Sequence, residues 1–331
     1  MRYIIIGAGA IGGGIGGRLH ENGHEVVLVA RGPHLAALRE GGLRLSTPEG
    51  TRTLPVPAAG GPEELRLTPE DVLLLAVKSQ HTAGVLDTWA GLPVTGGGTS
   101  DELLPLVCAQ NGVENERLAL RRFRQVHGMS VWMPATHLEP GRVAVPGAPF
   151  SGILTLGRYP RGSDRTAREI SADLEKSRFQ APVDEDVMRW KYGKLLGNLA
   201  NSVDALAGSH PDGPGAELAR RVRAEGEAVL TAAGIDYAGI PEQLERRGEL
   251  IRAVPLDGVE RGGSSSWQSL ARGTGSIEAD YLNGEIVLLA RQHGVPAPLN
   301  EALQRLATAY ARQGRAPGSL PAADLAALLA L

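Results

Sequence analysis

"IIIGAGAIGGG", residues 4–14, decides how this chain is read. Three isoleucines make a short apolar strand, and the glycines that follow stop it at once. Gly7, Gly9 and Gly12 stand in the spacing G-x-G-x-x-G, and Gly16 and Gly17 follow in what reads as a helix. In a dinucleotide-binding unit each glycine has a task. The first allows the tight turn, the second lets backbone approach a pyrophosphate, and the third lets helix and strand pack closely. The helix N-terminus adds free N–H groups and a partial positive charge. Gly7, Ala8, Gly9, Ala10, Ile11 and Gly12 are therefore the expected nucleotide loop. The spacing alone is common. Its place between a strand and a helix, with a second strand at the right distance, makes it informative.

That second strand is "HEVVLVAR", residues 24–31. Enzymes that use NAD often end it in Asp or Glu, which hydrogen-bonds the ribose. Here Arg31 stands there instead. Its guanidinium can clamp an extra 2′-phosphate by charge and paired hydrogen bonds, so NADPH/NADP is the expected cofactor over NADH. An ordinary surface arginine is the plainer alternative. Residues 70–78, 102–112 and 125–138 read as further strands, with a helix over 81–92. Pro-Gly punctuation over 141–158 suggests an antiparallel hairpin at a sheet edge. Lys78 and Asn111 fall at the C-terminal ends of buried strands, where open α/β sheets bind ligands, so both are expected to face the cofactor crevice. A solvated lysine and a turn-forming Asn-Gly are the alternatives.

From residue 184 the texture turns helical, with helices expected over 185–208, 214–234, 241–253, 264–272, 276–293, 299–313 and 321–330. The expected class is α/β: an N-terminal Rossmann-type doubly wound sheet over 1–184, then an all-helical domain over 185–331. The 331 residues suffice for two domains, and 42% hydrophobic residues suffice for a sizeable core. A net charge of −3 and 4% aromatics argue against nucleic acid or an anionic membrane as partner. The single cysteine, Cys108, excludes an intrachain disulfide and a multi-cysteine metal site, and no metal is expected. Glycines interrupt the first apolar run too early for a signal peptide, and no run approaches a membrane span, so the default location is the cytoplasm.

Taken together, "GAGAIG" (7–12), "ARG" (30–32), "VKSQHT" (77–82), "QNG" (110–112), "WKYGKLLGNLANS" (190–202) and "SIEADYLNGEI" with "ARQHGVPAPLN" (276–286, 290–300) resemble the ketopantoate reductase family, the 2-dehydropantoate 2-reductases. The likeness runs over nearly the whole chain, and its last two parts are the most specific. It implies a Rossmann domain, a helical domain, an active site between them, and NADPH-dependent reduction of a 2-keto acid, with ketopantoate the leading substrate. The family's catalytic lysine falls on Lys194, its asparagine four residues on falls on Asn198, and its serine and glutamate fall on Ser266 and Glu278. The Asn-Gly asparagine falls on Asn111.

The chemistry is coherent without the likeness. Ketone reduction needs a proton donor beside the oxygen that becomes an alkoxide, and an ammonium suits that role. Lys194, Asn198 and Asn201 at i, i+4 and i+7 would share one helix face. Glu278 would open a helix and orient Lys194 or hold a substrate hydroxyl, and Ser266 near a helix start could bind a carboxylate. N-capping and a first-turn charge are the alternatives for these two. Two departures bear on the substrate, and a third feature on the choice of lysine. The family's second asparagine comes eight residues after its lysine, where Ser202 stands here. Another family asparagine falls on Gly263, which has no amide. Lys191 competes with Lys194 for the catalytic role. A relative reducing a different keto acid, and a non-catalytic NADP(H) sensor, are the competing readings. Expected partners are a small keto acid and, if the chain self-associates, a second copy in a homodimer.

Overall fold

The computed structural model describes residues 1–209, 212–259 and 263–329. The strands are β1 (Arg2–Ile6), β2 (Glu25–Val29), β3 (Leu43–Thr47), β4 (Gly50–Leu54), β5 (Ala58–Ala59), β6 (Asp71–Leu75), β7 (Leu106–Cys108), β8 (Val126–Trp132), β9 (Arg142–Ala144), β10 (Gly147–Pro149), β11 (Gly152–Arg158), β12 (Phe179–Gln180) and β13 (Ile251–Ala253). The helices are α1 (Ala10–Glu21), α2 (Gly32–Gly41), α3 (Thr82–Trp89), α4 (Ser100–Leu103), α5 (Asn115–Leu120), α6 (Arg165–Lys176), α7 (Val187–Asn198), α8 (Asn201–Ala207), α9 (Pro214–Ala232), α10 (Ile240–Arg247), α11 (Ser265–Ala271), α12 (Asn283–His293), α13 (Pro298–Arg312) and α14 (Ala322–Leu328). Ala330, assigned by sequence to the last helix, lies outside the described residues. The chain divides into two compact units, Met1–Trp190 with Ile240–Glu260, and Lys191–Gly239 with Arg261–Leu331.

In the first unit the main sheet has the order β12-β11-β8-β7-β6-β1-β2-β5. Strands β8 through β5 along that order run parallel, and β11 lies antiparallel to β8. The strands β1, β6 and β7 are buried on both faces, which explains their unbroken Ile, Leu and Val. The chain leaves β1 for β2 on one side and returns at β6 on the other. The loops after β1 and β6 thereby lie side by side at a topological switch point.

Helix α1 has a sheet on each side, and this accounts for its five glycines. A Cβ on Gly12 would meet the Gly7 carbonyl oxygen at 2.1 Å, and one on Gly16 would meet Leu28 at 2.7 Å, both toward the main sheet. On the opposite side a Cβ would meet Val143 at 2.9 Å from Gly13, Val145 at 2.9 Å from Gly14, and Leu43 at 3.0 Å from Gly17. That side belongs to a second sheet, β4-β3-β9, whose β3–β4 hairpin the sequence reading did not include.

The hairpin expected within 141–158 does not form. Strand β9 pairs parallel with β3, β10 pairs antiparallel with β13, and β11 pairs with β8. The Pro-Gly turns are present, but each short run finds its partner far away in the chain. The helix expected over 241–253 stops at Arg247, because Gly248 takes a positive φ of 42° and Ile251–Ala253 then continues as β13.

In the second unit, buried leucines of α7, α8 and α9 form the core with Ile286 and Leu303. Each fully buried leucine contributes roughly 1.5–3 kcal/mol of hydrophobic stabilisation. The single helix expected over 185–208 is two helices. Leu199 and Ala200 separate them, and the Leu199 carbonyl accepts a hydrogen bond from the buried Asn283 amide at 3.1 Å. The helix expected over 276–293 is likewise a 3₁₀ turn, Glu278–Tyr281, followed by α12.

Candidate active site

The nucleotide loop of the first unit is built as an anion site. Gly7 has φ +105°, where a Cβ would stand 2.8 Å from the Val77 nitrogen of the β6 loop. Gly9 caps α1 without a side-chain hydrogen bond, and no acidic residue lies in the first helical turn. A Cβ on Gly9 would meet nothing within 4 Å, so open space lies before the helix N-terminus. Ala8 is buried, while Ala10 and Ile11 are half-buried. The backbone N–H groups of Gly7 and Ala8 are both held by the Val29 carbonyl, at 3.1 and 3.2 Å. This leaves the helix start to offer donors to a phosphate. These features fit a dinucleotide.

His34 is a supporting residue that sequence reasoning missed. Its Nδ1 accepts from the Gly141 backbone N–H at 2.9 Å, so its Nε2 carries the proton and donates to the Ala8 carbonyl at 2.8 Å. Burial lowers its pKa, against the opposing effect of the Ala8 carbonyl. Arg31 is the N-cap residue of α2, exposed, and without a side-chain hydrogen bond or ion pair among the described residues.

The loops after β6 and β7 are locked together by a buried network centred on Asn115. Its amide donates to the Asn111 carbonyl at 3.0 Å and to the Ser79 hydroxyl at 3.2 Å, and its oxygen accepts from Thr82 at 2.7 Å. The Ser79 hydroxyl also donates to the Asn111 carbonyl, at 3.3 Å. This network holds the loop segments carrying Lys78 and Asn111 next to each other, beyond the strand ends.

In the second unit Lys194 and Asn198 stand one turn apart on α7. Burial, reinforced by the nearby Lys191 charge and opposed by Glu278, lowers the Lys194 pKa to about 7. Lys191 is itself 3% exposed, and Glu278 4% exposed. Glu278 also raises the pKa of Arg272, which burial lowers more. Arg272 was not anticipated; no motif distinguishes it from the chain's other arginines.

Among the described residues, several buried polar atoms of this unit have no hydrogen-bond partner: the Asn198 Nδ2, the Ser266 Oγ and the Ser265 Oγ. The capping task belongs to Ser264, which accepts from the Trp267 N–H at 3.2 Å. Ser266 is therefore free of it, and Ser265, absent from the sequence expectation, joins it. The run of three serines was the available signal, since only one can cap. Asn201 does not continue the Lys194–Asn198 helix; it opens α8. Ser202, eight residues after the lysine, donates to Asn283 at 2.6 Å in a buried chain that continues to Asn300 and Glu225. Gly263 cannot be replaced by a larger residue without displacement, because a Cβ would lie 2.6 Å from the Trp267 ring and 3.0 Å from Asp204.

Among the described residues no cluster of His, Cys, Asp and Glu could hold a metal, and no helix is long and apolar enough to cross a membrane.

Comparison with known proteins accords with this geometry. Residues 3–161 match the family described as "Ketopantoate reductase PanE/ApbA", and residues 186–311 match its C-terminal domain. A 2-dehydropantoate 2-reductase of Mesorhizobium japonicum is 30% identical, with 92% of this chain and 96% of that protein covered. The crystal structure of a PanE/ApbA family ketopantoate reductase from Ralstonia eutropha JMP134 is 27% identical over 95% of this chain and 99% of that one, with TM-score 0.75. D-Mandelate dehydrogenase, solved with NADH and anilino(oxo)acetate, has the same fold at TM-score 0.75 and 20% identity, over 95% of this chain and 99% of that one. With family matches to both halves and a relative of this identity along nearly its full length, the chain belongs to the ketopantoate reductase family, oxidoreductases that act on a CH–OH group with a nicotinamide nucleotide.

Proposed function

We propose that this protein reduces a 2-keto acid with NADPH, Lys194 giving the proton to the carbonyl oxygen. The observation that carries this reading is a set of groups in the second unit. It combines the Lys194 ammonium, whose pKa lies near 7 under the influence of a buried Glu278, with amide and hydroxyl atoms of Asn198 and Ser266 that have no partner among the described residues. Buried polar atoms are normally satisfied, so unpartnered ones are expected to bond to a ligand. A general acid works best when its pKa lies near the working pH.

In the first unit Gly7 through Gly12, Lys78 and Asn111 would hold the nucleotide, with Arg31 on its 2′-phosphate. When bound, that nucleotide supplies a hydride to the carbonyl carbon. The Lys194 ammonium stabilises the charge that develops on the oxygen and then releases its proton there. Glu278 favours the protonated form of Lys194, against the larger opposing effect of burial. The Asn198 amide and the Ser266 hydroxyl hold substrate oxygens, whereas Asn201, which opens a separate helix, loses the shared face that had suggested it. Ketopantoate, reduced to pantoate on the route to pantothenate and coenzyme A, is the leading substrate.

One observation favours a different keto acid. Where the family has an amide before the serine, Gly263 lies against the Trp267 indole, and Ser202 is occupied by Asn283. Two polar contacts expected for ketopantoate are thus replaced by aromatic surface and internal structure. The deciding experiment measures oxidation of NADPH and of NADH against ketopantoate, phenylglyoxylate and branched 2-keto acids. The highest kcat/KM with ketopantoate supports the first substrate, and the highest with another acid supports the second. Absence of turnover with every keto acid overturns the reductase reading.

A further inference from the structure

His34, in the first turn of α2, ties the nucleotide loop to the second sheet. Its half-buried ring stands between Ala8, inside G-x-G-x-x-G, and Gly141, in the turn that leads into β9. The Nε2–H donates to the Ala8 carbonyl at 2.8 Å, and Nδ1 accepts from the Gly141 N–H at 2.9 Å. Both ring nitrogens are engaged, and one neutral tautomer serves both bonds. The far end of this strut is anchored. The Gly141 carbonyl accepts from the Arg44 N–H of β3 at 2.9 Å, and a Cβ on Gly141 would stand 3.0 Å from the Ala37 methyl, one turn along α2 from His34. The ring also lies against His137, with centroids 4.3 Å apart.

The near end fixes a peptide plane. The Ala8 N–H is held by the Val29 carbonyl at 3.2 Å, and the Ala8 carbonyl by His34. The Ala8–Gly9 peptide is trans, so its N–H points opposite to its carbonyl. A pinned Ala8 carbonyl therefore sets the direction of the Gly9 N–H. That N–H donates no hydrogen bond among the described residues, while the Gly9 carbonyl already accepts from the Gly13 N–H at 2.7 Å. With open space beside Gly9, one backbone donor is left over where the loop would meet a pyrophosphate.

We infer that His34 is a positioning residue for the cofactor, holding the Ala8–Gly9 peptide so that the Gly9 N–H faces a pyrophosphate oxygen. This rests on the reading of residues 7–12 as the nucleotide loop. Arg31 and His34 both belong to the start of α2, yet they act on different parts of the nucleotide. The 2′-phosphate assigned to Arg31 is present in NADPH alone, whereas the pyrophosphate is common to NADPH and NADH. Loss of the His34 strut therefore weakens both nucleotides alike.

Titration of the full chain with NADPH and with NADH, followed by nicotinamide fluorescence, tests this on three variants. Leucine fills a similar space and cannot hydrogen-bond. H34L is expected to weaken both nucleotides about three- to tenfold, the scale of one neutral hydrogen bond, and to raise KM for NADPH with kcat nearly unchanged. Glutamine carries a donor and an acceptor spaced much like the two imidazole nitrogens, so H34Q is expected to recover most of the loss. Both variants lose the ring contact with His137, so a role in packing alone would affect them equally. H34N, too short to reach both partners, is expected to match H34L and provides the same measurement if H34L does not fold. Unchanged affinity in H34L and H34N, a loss confined to NADPH, or an H34Q variant no tighter than these two would overturn the inference. Failure of the wild-type chain to bind either nucleotide would overturn the nucleotide-loop reading along with it.

Discussion

Arg31 and Lys194 are single side chains on which the proposed chemistry turns. Arg31 is exposed and unpaired among the described residues, so removing it disturbs no internal contact. Arg31→Ala is expected to raise KM for NADPH about tenfold or more, the scale of a lost charge-assisted contact, while KM for NADH changes little. Equal losses for both cofactors, in steady-state kinetics, would refute the role. Lys194→Ala is expected to lower kcat by about 10²–10⁴, the range for a positioned general acid, with NADPH affinity nearly unchanged. The pH dependence has a definite sign. Reduction needs the ammonium form, so kcat/KM is full below about 7 and falls as pH rises through that value. Lys191 is a buried like charge that lowers this pKa. Lys191→Met is expected to move the midpoint upward while activity persists at neutral pH, which a pH–rate profile measures. If Lys191→Met abolishes turnover and Lys194→Ala does not, the wrong lysine has been assigned.

At the scale of elements, α1 separates two uses of glycine. Gly16 has no room for a methyl group, with Leu28 at 2.7 Å, whereas Gly9 has nothing within 4 Å. Gly16→Ala is expected to lower stability by about 1–3 kcal/mol through overpacking. Gly9→Ala is expected to unfold at nearly the wild-type temperature but to bind NADPH less tightly. Thermal melts and nucleotide titrations on the two variants check this together. A Gly9→Ala melt as depressed as that of Gly16→Ala would show that Gly9 serves packing. The strand, the glycine turn and the helix were all legible in residues 4–21, because that unit is made of neighbours in sequence. The break between α7 and α8 was not legible. It coincides with Asn283 bonding the Leu199 carbonyl, 84 residues away.

For the whole molecule, the division into two units assigns Ile240–Glu260 to the first, although helices of the second flank it in sequence. Strand β13 meets β10 across about a hundred residues of chain. In hydrogen exchange followed by mass spectrometry, NADPH is expected to increase protection of β10 and β13 more than that of α9. A ligand at a hundred times its Kd stabilises what it binds by about 2.7 kcal/mol. Protection of β13 that follows α9 instead would contradict the division.

The sequence by itself determined the parts whose physics is local. Apolar runs marked β1, β2 and β6, and G-x-G-x-x-G marked the turn at Gly7. The spacing of four residues placed Lys194 and Asn198 on one helix face. Only the tertiary structure decided the rest. The hydrogen-bonding needs of a short strand are met by whichever edge lies near it in space, so β9 joined β3 and β10 joined β13. A serine caps, binds or sits buried according to which N–H groups surround it, which separated Ser264 from Ser266. The charge of a lysine depends on how much water and which ions surround it, so the opposing effects of burial and Glu278 on Lys194 were resolved only once their relative sizes were fixed in space, with burial the larger.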